Sequence, residues 1–237
     1  RGAAAIPRAE AVAILGDRIL YVGTNAGAEA HRTARTRVID AAGRMVTPGF
    51  IDDHTHFAQA GGLLIGANLL DVSTPGPFAA RVKAAVRRIN PTRDGAPNVV
   101  LSNETPAQWL TGGDWGAYDL ESRFSPDRSI IDSVTPYTPV LLNRWDRSAY
   151  LANGRALELA GLSCVEAVPG LECVNGLATG RVSDSALARV RRAMQTKSFD
   201  RLLRESRVAM QHLAELGVTT IHDNTTPAQL PVFTELK

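Results

Sequence analysis

The most constraining stretch of this sequence is residues 45–56, where an apolar run carrying Pro48 and Gly49 passes into Asp52-Asp53-His54-Thr55-His56. An apolar run of that length, bounded by Gly and Pro, suits a buried strand and is too short for an ordinary helix. It also divides two kinds of sequence. Before it, short β-prone runs at residues 12–14 and 19–22 flank Gly16-Asp17 and predict a hairpin, with another short strand at residues 37–40. After it, apolar periodicities of helix and strand alternate. The expected domains are therefore a small all-β part over residues 1–47 and an α/β part over residues 48–237.

Within the second part, Phe78, Val82, Ala85, Val86 and Ile89 keep helical spacing, with Thr74, Pro75 and Pro77 at the start and Pro91 beyond the end. A short strand is expected at residues 99–102, followed by a loop-rich zone over residues 105–126. Pro139-Val140-Leu141-Leu142 predicts a buried strand, and residues 149–159 a helix closed at Gly161. Leu187, Val190 and Met194 mark another helix. Leu202, Leu203, Ala209, Met210, Leu213 and Leu216 mark a longer one, closed by Gly217. Val218-Thr219-Thr220-Ile221 then reads as a strand that delivers His222 and Asp223. Strands separated by helices, with polar residues at their C-terminal ends, predict parallel β/α units of a barrel or doubly wound sheet. Only about three or four such strands are visible, against the eight of a closed barrel.

His54 and His56 carry the chemistry. Residues i and i+2 of a strand point to one face, so both imidazoles sit side by side while Thr55 faces away. Two ring nitrogens on one face suit a borderline divalent ion such as Zn²⁺, which activates water when a coordination position stays open. An isolated His-x-His also arises by chance on surfaces, so its setting decides.

That setting is Val46-Thr47-Pro48-Gly49-Phe50-Ile51-Asp52-Asp53-His54-Thr55-His56, which resembles the first barrel strand of the amidohydrolase superfamily. Trp109-Leu110-Thr111-Gly112-Gly113-Asp114-Trp115 is similar to a segment of amidohydrolase family 3, the YtcJ-like group. So are Pro139-Val140-Leu141-Leu142 with Asp146, Leu151-Ala152-Asn153, Ala156-Leu157, Ala160-Gly161-Leu162, Thr179-Gly180 and residues 216–223, in the family's order. The resemblance covers nearly the whole chain. It implies a (β/α)8 TIM-type barrel, incomplete at the C-terminus here, preceded by part of a β-sandwich. It implies hydrolysis of amide or other non-peptide C–N bonds of a small molecule by metal-activated water. His54 and His56 would be metal ligands. Further histidine ligands and the general-base Asp are expected beyond Lys237, so the catalytic base is unassigned. Where relatives carry a lysine or acid after Thr-Gly, this chain has Arg181-Val182-Ser183-Asp184, which predicts a one-metal site or Asp184 as substitute. Where relatives read Asp-Gly-His, it has Asp146-Arg147-Ser148, so a substrate contact differs.

Several of the remaining candidates have two readings. Trp109, Asp114 and Trp115 line a pocket mouth, or the tryptophans anchor a Gly-rich loop. Asp146 is a substrate contact by resemblance. His222, with Asp223, faces the active site or caps the following loop. Asp52 or Asp53 orients an imidazole or caps the strand end. His31, His212 and the run Arg189, Arg191, Arg192 read as surface.

Composition narrows the partners. With 26 Lys and Arg against 24 Asp and Glu, a formal charge of +2 makes no case for nucleic acid or an anionic membrane, and no apolar stretch is long enough to span a bilayer. A small-molecule substrate is expected, and a homo-oligomer is compatible with the sequence. The opening Arg1-Gly2-Ala3-Ala4-Ala5 is what removal of a leader or first strand would leave. Cys164 and Cys173 suit either a disulfide or two free thiols. The compartment is thus cytoplasmic by default, or exported if the cysteines pair. The rival to an enzyme is a non-catalytic amidohydrolase fragment, and a weaker third reading is a related deaminase.

Overall fold

The computed structural model describes residues 8–90, 108–119 and 123–237. The chain divides into two compact units, Arg1–Pro48 and Gly49–Lys237. In the first, β1 (Ala11–Leu15) and β2 (Arg18–Gly23) form an antiparallel hairpin around Gly16, which adopts φ +60° as a tight turn requires. A one-turn helix, α1 (Asn25–Glu29), follows, capped by the Thr24 hydroxyl. The strand expected at residues 37–40 does not form: that stretch carries no regular secondary structure, and Val38 and Ile39 are exposed. A β-prone run without a neighbouring strand has no ladder to join.

The second unit is mixed α/β. β3 (Phe50–Thr55) runs into α2 (Phe57–Ile65), and α3 (Pro75–Ile89) buries Phe78, Val82, Ala85, Val86 and Ile89, the stripe read from the sequence. β4 (Leu110–Trp115), the short helix α4 (Ser129–Asp132), β5 (Val140–Arg144), β6 (Tyr150–Ala152), α5 (Gly154–Leu159), β7 (Leu171–Val174), β8 (Leu177–Val182) and α6 (Asp184–Ala193) follow. The chain then returns through α7 (Phe199–Glu215) to β9 (Val218–Asp223) and ends in α8 (Leu230–Leu236).

Two sheets result. β3 pairs in parallel with β9, while β4-β5-β6-β8-β7 form a separate five-stranded sheet. In the latter only β4–β5 is parallel; β5–β6, β6–β8 and β7–β8 are antiparallel. The expected run of parallel β/α units is thus opened after its first strand, and an independently cored lobe lies between the two partners of one strand pair. Two further expectations change. The 105–126 zone, where described, contains β4, because the buried Leu110 and Trp115 outweigh its glycines. The helix expected over residues 149–159 begins only at Gly154, since Tyr150, Leu151 and Ala152 join the sheet and Asn153 caps the helix. The strand expected at residues 99–102 lies outside the described residues.

The lobe's sheet is covered on both faces, which explains the unbroken apolar run of β5. Val140 and Leu142 face a core shared with α3 and Ile131, whereas Leu141 faces a second core with α5 and α6. Cys164 and Cys173 form a disulfide that ties the loop after α5 to β7.

Candidate functional site

Backbone hydrogen bonds build the junction that carries the histidines. β3 ends at Thr55, and His56 is the N-cap of α2, its carbonyl accepting from the N–H groups of Gln59 and Ala60, each at 3.0 Å. The register between Asp52↔Ile221 and Thr55↔Asp223 gives β3 three steps to β9's two, so one extra residue bulges the strand at Asp53-His54. Bulges re-aim side chains and recur beside functional sites. The Asp52 carboxylate accepts from the His54 backbone N–H at 3.1 Å and so secures the bulge. Asp223 accepts from the Phe57 N–H at 2.7 Å and lies 3.4 Å from the Thr55 hydroxyl, which also donates to the His222 carbonyl at 3.2 Å. Asp223 thus fixes the start of α2 from the neighbouring strand.

The result is two exposed imidazoles with ring centroids 5.3 Å apart, edge to face. His222 lies in β9, one residue before Asp223, the residue paired with Thr55. It is exposed, and among the described residues no third His, Cys, Asp or Glu joins the two into a metal-competent group. Two neighbouring imidazoles fit part of a borderline divalent ion's donor set, with the remaining positions to be filled from elsewhere.

The other candidates lie in the lobe. Trp109 and Trp115 are buried in its two separate cores, and Trp115 packs edge-on against Phe78 at 5.9 Å between centroids. The Trp109 carbonyl accepts from Arg201 at 3.0 Å. Asp114, at φ +51°, pairs with Arg147, at φ +62°, and accepts from the Asn143 side-chain amide at 2.5 Å. Asp146 is exposed; the Ser148 hydroxyl at 2.6 Å holds its carboxyl below the usual range, helped by the Ser148 N–H and the charge of Arg144. Asp184 opens α6 and accepts from the Ser183 hydroxyl at 2.9 Å, apart from the histidine pair's sheet. His31 and His212 are exposed.

Two hollows stand out among the described residues. One of about 670 Å³ follows β9, α7 and α8, is mostly apolar, and has Asp223 but neither His54 nor His56 among its lining residues. The other, of about 240 Å³, lies in the lobe and is lined by Arg147 and Arg191 together with Thr111, Asn143, Tyr150 and Met194. Sequence reasoning did not single out Thr111, Asn143 or Tyr150, because residues from β4, β5, β6 and α6 converge only in three dimensions.

Comparison with known proteins gives a consistent picture. The sequence profile of the amidohydrolase family matches residues 37–237. The chain is 31% identical over 226 residues to the protein LONG AFTER FAR-RED 3 of Arabidopsis thaliana, covering 92% of this chain and 35% of that relative. It is 28% identical over 226 residues to an N-substituted formamide deformylase of Arthrobacter pascens, covering 91% of this chain and 39% of that one. Its fold is similar to the crystal structure of a metal-dependent hydrolase from Pyrococcus horikoshii, with a TM-score of 0.59 and 19% identity over 94% of this chain and 41% of the other. The chain thus spans under two fifths of the length of these two curated relatives.

Proposed function

The chain belongs to the amidohydrolase family, and on that premise we propose that it forms part of a metal-dependent hydrolase acting on an amide or other non-peptide C–N bond of a small molecule. The observation that carries this reading is the pair of exposed imidazoles, 5.3 Å between centroids, at the bulged end of β3. A bound divalent ion, with Zn²⁺ the best match to imidazole, supplies Lewis acidity toward a carbonyl and lowers the pKa of coordinated water. His54 and His56 would hold it. Asp52 fixes the His54 backbone, and Asp223 fixes the first turn of α2 and with it His56. The same reading takes β3 and β9 as adjacent strands of a (β/α)8 barrel and residues 1–47 as part of a β-sandwich. The general base belongs to a part of that barrel not represented among these strands.

A second reading, a non-catalytic fragment, is favoured by the lack of a third donor beside the histidines among the described residues. One experiment separates the two. The protein is loaded with Co²⁺ or Zn²⁺, dialysed, and assayed for metal content and for release of carboxylate and amine from N-substituted formamides and other N-acyl amines. Metal retention and chelator-sensitive hydrolysis, both lost in the His54→Ala/His56→Ala variant, support the enzyme. Retention without hydrolysis favours the fragment. Release of ammonia from an amino-substituted heterocycle assayed in parallel, with the N-acyl amines left intact, redirects the assignment to a deaminase. Metal content unchanged by the double substitution contradicts the ligand role.

A further inference from the structure

The hollow in the lobe is lined by two guanidinium groups whose situations differ. Arg147 is paired with Asp114, and that pair is held in an unusual way: both residues adopt left-handed backbone conformations, at φ +62° and +51°, beside Gly112 and Gly113 at φ +91° and +96°. Such conformations are unfavourable for side chains other than glycine, so the backbone is held there by its surroundings. Asn143, only 7% exposed, donates both amide hydrogens, to Asp114 at 2.5 Å and to the Arg144 carbonyl at 2.8 Å, which locks Asp114 facing Arg147. Arg191, from the last turn of α6, has no carboxylate partner among the described residues; its guanidinium lies 5.0 Å above the Tyr150 ring. Two guanidiniums against one carboxylate leave this hollow with an excess positive charge. Leu141, Tyr150, Met194 and Thr111 also line it.

Guanidinium groups recognise planar carboxylates through paired N–H donors, and an arginine stacked on an aromatic ring is already oriented for that role. We propose that this hollow is a binding site for the carboxylate of a small organic anion, with Arg191 as the primary contact, Arg147 as the second, and the apolar body of the ligand against Tyr150, Leu141 and Met194. The volume of about 240 Å³ suits a single ring or short chain, not a polymer. The site does not depend on the histidine pair or on any metal, so it stands or falls separately from the hydrolase reading.

The test uses metal-free protein and calorimetric or NMR titration with benzoate, its neutral isostere benzamide, and inorganic phosphate. Benzoate is expected to bind with a dissociation constant of about 1 mM or tighter, and benzamide at least about tenfold more weakly, a difference of about 1.4 kcal/mol. Arg191→Gln should weaken benzoate binding by about tenfold or more, and Arg147→Gln by a smaller factor, because Arg147 is already paired. Both variants should keep the wild-type melting profile within a few degrees, since both side chains are exposed. Arg192→Gln, one residue further on the same helix, serves as control and should bind as the wild type does. No benzoate binding, equal binding of benzamide, phosphate binding as tightly as benzoate, or unchanged affinity in Arg191→Gln would each overturn the proposal.

Discussion

At the scale of single residues, Asn153 shows how a family-like position earns its place without touching a substrate. It is 1% exposed, and every hydrogen-bonding group of its side chain is used. The amide oxygen accepts from the Ala156 N–H, capping α5, and from the Val140 N–H at the start of β5, each at 2.9 Å. The amide nitrogen donates to the Thr135 hydroxyl at 2.8 Å, the Thr138 carbonyl at 2.9 Å and the Thr135 carbonyl at 3.1 Å. Asn153→Ala strands two backbone N–H groups in a dry interior and removes a helix cap, so a loss of about 3 kcal/mol is expected in urea denaturation. Aspartate is ordinarily as good a cap as asparagine. Here Asn153→Asp should also destabilise, because its second oxygen would face carbonyls in place of a donor. A stable Asn153→Asp protein would show that the donor side of this network is unimportant. The sequence marked Leu151-Ala152-Asn153 as family-like but could not separate a buried network from a site residue, since the Thr135 and Thr138 partners are remote in sequence. His54 and His56 stood out in the sequence through their spacing, but the shared strand face expected from it is not what brings them together: β3 ends at Thr55, His56 caps α2, and the strand is bulged at Asp53-His54.

At the scale of elements, the packing of α2 against α7 decides whether β3 and β9 can meet. Gly61 of α2 sits so close to α7 that a Cβ there would lie 2.3 Å from the Glu205 carbonyl oxygen. At the same contact the buried Glu205 carboxylate pairs with Arg201 at 2.9 Å and Lys197 at 2.7 Å, and Arg201 reaches on to the Trp109 carbonyl. An added methyl group collides with backbone, which cannot swing aside. Gly61→Ala should therefore cost about 1–3 kcal/mol in denaturant melts. Gly76→Ala, in α3, meets nothing within 4 Å beyond its chain neighbours, but the gain from a better helix former is offset by Pro77, whose ring crowds a preceding Cβ, so stability should change by less than about 1 kcal/mol. Equal effects of the two substitutions would remove the case for a glycine-dependent helix contact. α3, α6 and α7 could be read from their apolar periodicity, but β4 and β6 could not. Gly112 and Gly113 argue against a strand locally, and the three-residue β6 takes its conformation from β5 and β8 on either side.

At the scale of the whole molecule, separate pieces differ sharply in what buries them. The β5 strand is buried along Val140, Leu141, Leu142 and Asn143, within a sheet covered on both faces. No residue of β3 or β9 is fully buried, and Phe50 and Ile51 are 60% and 66% exposed. In the Arg1–Pro48 unit, none of the described residues is buried. Local sequence announced the strand carrying His54, but not that its partner is β9, because residues 56–217, which contain the whole five-stranded sheet, lie between them. Such a pairing closes a long loop and depends on α2–α7 packing for support. Opening free energies should follow burial and pairing, since amides exchange through local openings where few apolar contacts resist them. Native-state hydrogen exchange of the protein is therefore expected to give the greatest protection to the amides of β5 and its neighbours in the lobe sheet. Those of β3 and β9 should be intermediate, and those of the two-stranded β1–β2 hairpin fastest. Protection of Ile221 and Asp223 equal to that of Leu142 would mean that the β3–β9 pair opens only with the lobe, and that the histidine-bearing strand is held as firmly as the core. Lower protection at β9 than at β5 would identify the histidine junction as a separately opening unit, whose rigidity has to come from what binds to it.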